Sequence, residues 1–145
     1  MNVAELTARA VFDAINNRDL ERIPELVTDD FVDHGAPPGL VPPGPKGYMA
    51  VLGFVTNVLG IRYEVHDVVA SGDLIAVRAT GHGIHASDHL GFPATGKPYA
   101  MESMHLYRTE GDRLSEHWGV RDELGALYQV GALTPPPLPS IDAGR

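Results

Sequence analysis

Asp122 ends the segment Leu114-Ser-Glu-His-Trp-Gly-Val-Arg-Asp122. The segment reads as a β-strand, and strict alternation places Leu114, Trp118, Val120 and Asp122 on one face. An aspartate on an apolar face either reaches water at an edge or sits inside an apolar cavity. Inside a cavity it is costly unless paired or neutralised, and there it can be tuned for acid/base work near neutral pH. The preceding strand-like segment, Tyr99 to Arg108, offers His105 as a candidate partner. A structural reading of Asp122 competes. Asp122-Glu-Leu-Gly also suits the start of a helix, where the carboxylate would cap free amides. The two readings are compatible. Glu116 shares the face of Asp122 by the same alternation, unless a bulge turns it outward.

The remaining histidines carry less. His82, His85 and His89 lie in and beside a Gly-rich stretch and could gather around zinc. Solvated loop histidines are common, however, and no metal site is expected. His66 and His117 lie on strands among polar neighbours and are expected to face solvent or a second subunit. The chain has no G-x-S-x-G elbow, P-loop, Rossmann fingerprint or H-E-x-x-H. Serine hydrolase, nucleotide-dependent and zincin chemistries therefore have no support.

Composition narrows the class. At 145 residues, 43% apolar and 21% charged, the chain suits one globular domain with a real core. Cysteine is absent, which excludes disulfides, thiolate metal sites and a cysteine nucleophile and fits a cytoplasmic location. The formal charge of −8, without a basic run, argues against nucleic acid. No stretch approaches a membrane span, and the N-terminus lacks the basic and apolar regions of a signal peptide.

The elements that must position these residues follow from periodicity. Helices are expected over Val3 to Asn17, Leu20 to Val27 (capped by Asp19) and Lys46 to Leu59, with Gly60 as a stop. Between the second and third lies a short extended piece, Phe31 to His34. A Pro/Gly loop over residues 35–45 follows, too rich in proline for a helix or inner strand. Strands are expected over Arg62 to Ala70, Leu74 to His82, Pro98 to Arg108 and Arg113 to Val120. They form two hairpins joined by a loop over residues 85–96. Asp122 to Val130 suits a short helix. The expected fold is α+β. A curved antiparallel sheet is closed by the N-terminal helices into a cone, an α+β barrel with an internal apolar pocket. One domain over residues 1–133 is expected, with a proline-rich tail over 134–145.

The order of elements resembles the cone-shaped fold shared by scytalone dehydratase, ketosteroid isomerase and nuclear transport factor. The residues more specifically resemble the SnoaL-like polyketide cyclases and their ester-cyclase relatives. The matching stretches are Phe31-Val-Asp-His-Gly with its loop, Ser71-Gly-Asp-Leu-Ile-Ala-Val-Arg, Gly91-Phe-Pro-Ala-Thr-Gly-Lys and Leu114 to Gly125. The resemblance implies an intramolecular aldol ring closure on an aromatic polyketide ester, without metal or organic cofactor. It implies Asp122 as acid/base, His105 on the neighbouring strand and His34 before the Pro/Gly loop. His34 also suits a plain turn residue.

Such chemistry is consistent with these residue types. A carbon acid flanked by carbonyls yields its proton to a single carboxylate, and His105 could donate to the developing oxyanion. Trp118, Phe54, Phe92, Met104 and Tyr48 are candidates for the wall that holds a small apolar or aromatic ligand. Two alternatives stay open. The same pocket could serve a hydrolase or isomerase, for which Asn57 and Arg121 are the available amide and basic partners. It could also be a binding protein without turnover, and fold alone does not decide between them. The long exposed sheet face, and the habit of such relatives, suggest a homodimer or higher homo-oligomer.

Overall fold

Asn2 starts the chain's first regular element by accepting the Glu5 amide at 2.8 Å, an N-cap that satisfies one free donor of the opening turn. Helix α1 then runs Val3–Asn16 and buries Ala8, Val11, Phe12 and Ile15 on one side. The computed structural model describes residues 2–88 and 91–141. Among these are four α-helices and one five-stranded sheet.

The expected second helix is a single 3-10 turn, Leu20–Arg22, leading into a short helix α2, Ile23–Leu26. The chain extends immediately afterwards into β1, Val27–Asp33. This strand is longer than the short piece expected from sequence. Helix α3 spans Pro45–Gly53, and its last part widens into a π-turn at Phe54–Val58. Strands β2 (Arg62–Ser71), β3 (Leu74–Ile84), β4 (Pro98–Glu110) and β5 (Arg113–Arg121) follow, then α4, Glu123–Gln129. Residues 134–141 are exposed and without regular structure.

The sheet order is β1-β5-β4-β3-β2. Strands β2 to β5 are antiparallel neighbours, as the two hairpins required. The first strand, however, pairs with β5 in parallel. The sheet is therefore mixed rather than wholly antiparallel. That pairing sets Asp33 directly beside His117.

One side of the curved sheet carries the core. Along β4 the buried positions are Tyr99, Met101, Ser103, His105 and Tyr107, in strict alternation. Helix α1 packs on β2, β3 and β5, and α3 packs on β1. Asn16 fastens α1 to the sheet, donating to the Tyr63 carbonyl and accepting the Tyr63 amide, both at 2.7 Å. The Pro/Gly loop is held as tightly. The Gly44 amide donates to the Phe31 carbonyl at 2.7 Å. A Cβ on Gly47 would stand 1.8 Å from the Pro42 carbonyl oxygen, so only glycine lets the loop cross the helix there.

Candidate active site

Strand β5 contains a bulge. Arg108 pairs with Glu116 while Thr109 pairs with Leu114, which leaves Ser115 without a partner. An extra residue shifts the alternation by one place, so positions before and after it swap faces. Leu114 is 0% exposed on the inner side, whereas Val120 is 74% exposed on the outer side. His117, Gly119 and Arg121 take the inner face instead.

The consequence is a buried polar chain. Asp33 Oδ1 lies 2.7 Å from His117 Nδ1, and the two side chains are 4% and 5% exposed. His117 Nε2 lies 2.9 Å from His105 Nδ1, and His105 Nε2 lies 3.0 Å from Ser103 Oγ. The Ser103 hydroxyl donates onward to the Ala79 carbonyl at 2.9 Å. Asp33 Oδ1 also accepts the Gly35 amide at 2.8 Å.

The polarity of this chain assigns its protons. Ser103 has one hydroxyl hydrogen and gives it to Ala79, so it must accept from His105 Nε2–H. His105 Nδ1 is then an acceptor, and His117 Nε2–H donates to it. Asp33 is an acceptor when ionised, so His117 Nδ1 donates as well. Both nitrogens of His117 carry hydrogens, which makes an imidazolium–carboxylate pair facing a neutral His105.

The electrostatics agree. Burial pushes the His105 imidazole down to about 3, helped by the neighbouring His117 and Arg121 charges. Burial tends to raise the Asp33 carboxyl, but the His117 hydrogen bond and charge, the Gly35 amide and Arg121 outweigh it, and the net shift is downward. Burial raises Tyr63, with Arg121 partly offsetting it through charge and hydrogen bonding. Tyr48 and Tyr107 are both raised, chiefly by burial, and their hydroxyls meet at 2.9 Å.

These groups line one interior cavity. The polar lining is Asp33, Tyr48, Tyr63, His105, Tyr107, His117 and Arg121, and the apolar side comes from α1, α3 and the π-turn through Phe12, Ile15, Leu52 and Val55. The cavity measures about 20 Å³, room for about one water. Aromatic edges hold the imidazoles in place: Phe12 and Tyr63 each meet His105 near a right angle, at 5.2 Å and 5.6 Å between ring centroids. The two imidazoles stack at 5.2 Å.

Several residues expected at the site stand elsewhere. Asp122 is exposed and caps α4, its Oδ1 accepting the Gly125 amide at 2.8 Å. It does not enter the interior cavity, because the bulge reverses the face it was assigned. Trp118 is turned out for the same reason, stacking on His34 at 4.8 Å between ring centroids, with the Arg108 guanidinium over its ring 5.9 Å from the centroid. His34 is itself outside the cavity, paired with Glu116 at 2.8 Å. Met104 is on the outer face, being next in sequence to the inward His105. Phe54 begins the π-turn and is 47% exposed, and Phe92 is half-buried in the loop before β4. Neither lines the cavity. Tyr48 and His105 do line it. The solvent-facing or subunit-facing expectation for His117 is overturned by its burial.

Of the three loop histidines, His82 pairs with Glu64 and His85 bonds Thr95. His89 lies outside the described residues. Among the described residues no group of three or more His, Asp or Glu side chains is arranged to hold a metal ion, and no helix is long and apolar enough to cross a membrane.

Asp33 and His117 escaped sequence reasoning. Asp33 stood in view, beside His34 at the mouth of the Pro/Gly loop. The missing information was the parallel pairing of β1 with β5 and the unpaired Ser115.

Fold and site together define a small α+β protein with a buried acid–imidazole chain lining a cavity between sheet and helices. Residues 5–130 match the family model of the SnoaL-like polyketide cyclases, so the chain belongs to that family. It is 23% identical over 134 residues to aklanonic acid methyl ester cyclase DauD of Streptomyces sp. (strain C5), covering 89% of this chain and 82% of that protein. It is 22% identical over 120 residues to nogalonic acid methyl ester cyclase of Streptomyces nogalater, covering 81% and 90%. Among solved structures, wild-type IdmH from Streptomyces antibioticus superposes with a TM-score of 0.73 at 33% identity, covering 86% of this chain and 96% of that one.

Proposed function

We propose that this chain closes a ring in a polyketide ester by cofactor-free intramolecular aldol chemistry, with Asp33 as the acid/base. The observation that carries the reading is the buried run from Asp33 through His117 and His105 to Ser103. Support also comes from the family and from the methyl ester cyclases among the chain's relatives.

In the proposed reaction Asp33 takes a proton from a carbon flanked by carbonyls, which leaves an enolate. The enolate carbon attacks a ketone carbonyl of the same molecule, forming the C–C bond and an alkoxide. The protonated Asp33 then returns its proton to that alkoxide. Nothing is gained or lost, so the product is an isomer and no oxidant or co-reactant is needed. The imidazolium of His117 stays protonated throughout, its two N–H groups held by Asp33 and His105, and its charge favours the ionised form of Asp33. His105, held neutral, keeps His117 oriented rather than competing for the proton.

Burial supports this division of labour. A fixed charge in a dry cavity acts more strongly than one in water. Asp33 is the single carboxylate among the described cavity-lining residues. A hydrolytic site built on two acids therefore lacks its second member there. Tyr48, Leu52 and Val55 on the α3 side must move off the sheet to admit a polycyclic substrate, because the cavity as it stands holds about one water. Closing again would complete a cone over the ligand and exclude water.

The test is turnover of an aromatic polyketide methyl ester, aklanonic acid methyl ester in the first instance, by the purified chain, followed by mass spectrometry and absorbance. The expected product has the mass of the substrate and a new ring. Asp33→Asn is expected to abolish its formation. An unchanged rate in that variant, or a product heavier by one water, contradicts the assignment.

A further inference from the structure

The cavity carries a cation that the proposed chemistry has not yet used. Arg121 is the last residue of β5, and it lines the cavity beside Asp33, Tyr63 and His105. Its Nε is buried and has no hydrogen-bond partner among the described residues. A buried donor left unmatched is uncommon, and an ion or ligand oxygen is one way to satisfy it.

The acids near Arg121 are committed elsewhere. Asp122 has turned away to cap α4. Glu123 is exposed and reaches Arg121 only at 3.9 Å, a contact of little strength at a surface. Asp33 is already matched by His117. One carboxylate, one imidazolium and one guanidinium therefore face a cavity whose remaining lining is neutral, which leaves it net positive. This stands out in a chain of formal charge −8.

We propose that Arg121 is the oxyanion-binding residue of the cavity, receiving the enolate or alkoxide oxygen of a carbonyl substrate. The inference rests on the aldol reading above only for the identity of that anion. Arg121 marks neighbouring groups as a cavity charge should: it helps hold down His105 and Asp33 and offsets the rise of the Tyr63 phenol. A guanidinium suits the role because it stays charged and presents planar donors to an oxygen. The ligand class is an anion with its charge on a carbonyl-derived or phenolic oxygen, carried by a flat apolar body.

The test uses 4-nitrophenol, whose phenolate and neutral forms absorb differently. The full-length wild-type protein is expected to bind the phenolate, with the acidity of the bound probe raised at least tenfold. Arg121→Met is expected to lose that shift and to bind at least tenfold more weakly. Arg121→Lys is expected to recover part of both, which separates charge from folding. Asp33→Asn, inactive under the aldol reading, should still bind the phenolate, so failure of turnover and failure of this site are read separately. Wild-type protein that takes up only the neutral phenol, or none, overturns the proposal. So does an Arg121→Met protein that ionises the probe as wild type does.

Discussion

His105 and Gly119 face one another across β4 and β5, and the missing side chain of Gly119 is the space in which the two imidazoles stack. A Cβ at residue 119 would lie 3.2 Å from His117 Cε1 and 3.5 Å from His105 Nδ1. The approach to His117 is tighter than ordinary packing while that to His105 is an ordinary contact, and the 2.9 Å bond between the rings leaves His117 little slack. Gly119→Ala is therefore expected to fold, to lose about 1–3 kcal/mol of stability from overpacking, and to lose activity at least tenfold. Urea unfolding and steady-state turnover check the two parts. Full activity would show that the imidazole stack tolerates displacement.

Asp33 and Asp122 should separate cleanly. Asp122→Ala removes an N-cap, which costs about 1 kcal/mol, and is expected to leave turnover within twofold of wild type. Asp33→Ala removes the carboxylate partner of the buried His117, and is expected to cost about 3–5 kcal/mol and all measurable turnover. The discriminating experiment is a parallel assay of both variants with melting curves to confirm folding. An inactive, folded Asp122→Ala protein would return the catalytic role to that residue.

Acid should weaken the fold through two groups of the same chain. The folded His105 value of about 3 lies below that of an unfolded histidine. Between about 3 and the ordinary ~6.5, the unfolded chain binds a proton that the folded one refuses, so stability falls as pH drops through that window by up to ~1.4 kcal/mol per unit. The Asp33 carboxyl is also lowered on folding. Its contribution is present above the ordinary carboxylate value and is lost as pH falls through the folded one. His105→Gln should flatten the upper part of the curve, between about pH 6.5 and 4.5, relative to wild type. Denaturation midpoints measured across that range should differ between the two proteins; parallel curves would mean that His105 titrates normally.

The Tyr48–Tyr107 contact ties α3 to the sheet through two buried hydroxyls 2.9 Å apart. Tyr48→Phe leaves the Tyr107 hydroxyl without that partner and is expected to cost about 1–3 kcal/mol. Since α3 forms the wall that must open, the variant should also exchange the amides of residues 48–55 faster. Hydrogen exchange followed by mass spectrometry reads this. Unchanged exchange there would argue against α3 as the moving side.

Much of this architecture was legible from sequence because it rests on local rules. Strand β4 alternates without interruption, a pattern that turns His105 inward and Met104 outward. The helix α4 and its Asp122 cap follow from a short motif. Two non-local facts defeated the rest. The bulge at Ser115 has no signature in its own residue type, since serine is ordinary in a strand, yet it reverses Trp118, Val120 and Asp122 together. The parallel partner of β1 is more than eighty positions away, as the 84-residue separation of Asp33 and His117 shows. No periodicity can report such a pairing. The family resemblance supplied the fold class, while these two features decided which acid faces inside.

The most direct test of the account is the protonation state of His117, read by nitrogen-15 NMR of histidine-labelled protein near neutral pH. With the chain oriented from His117 to both Asp33 and His105, the two ring nitrogens of His117 should each carry a hydrogen, and His105 should carry one on Nε2 alone. Asp33→Asn should remove the imidazolium signal. A singly protonated His117 in the wild-type protein would contradict the buried ion pair, and with it the assignment of Asp33 as the acid/base.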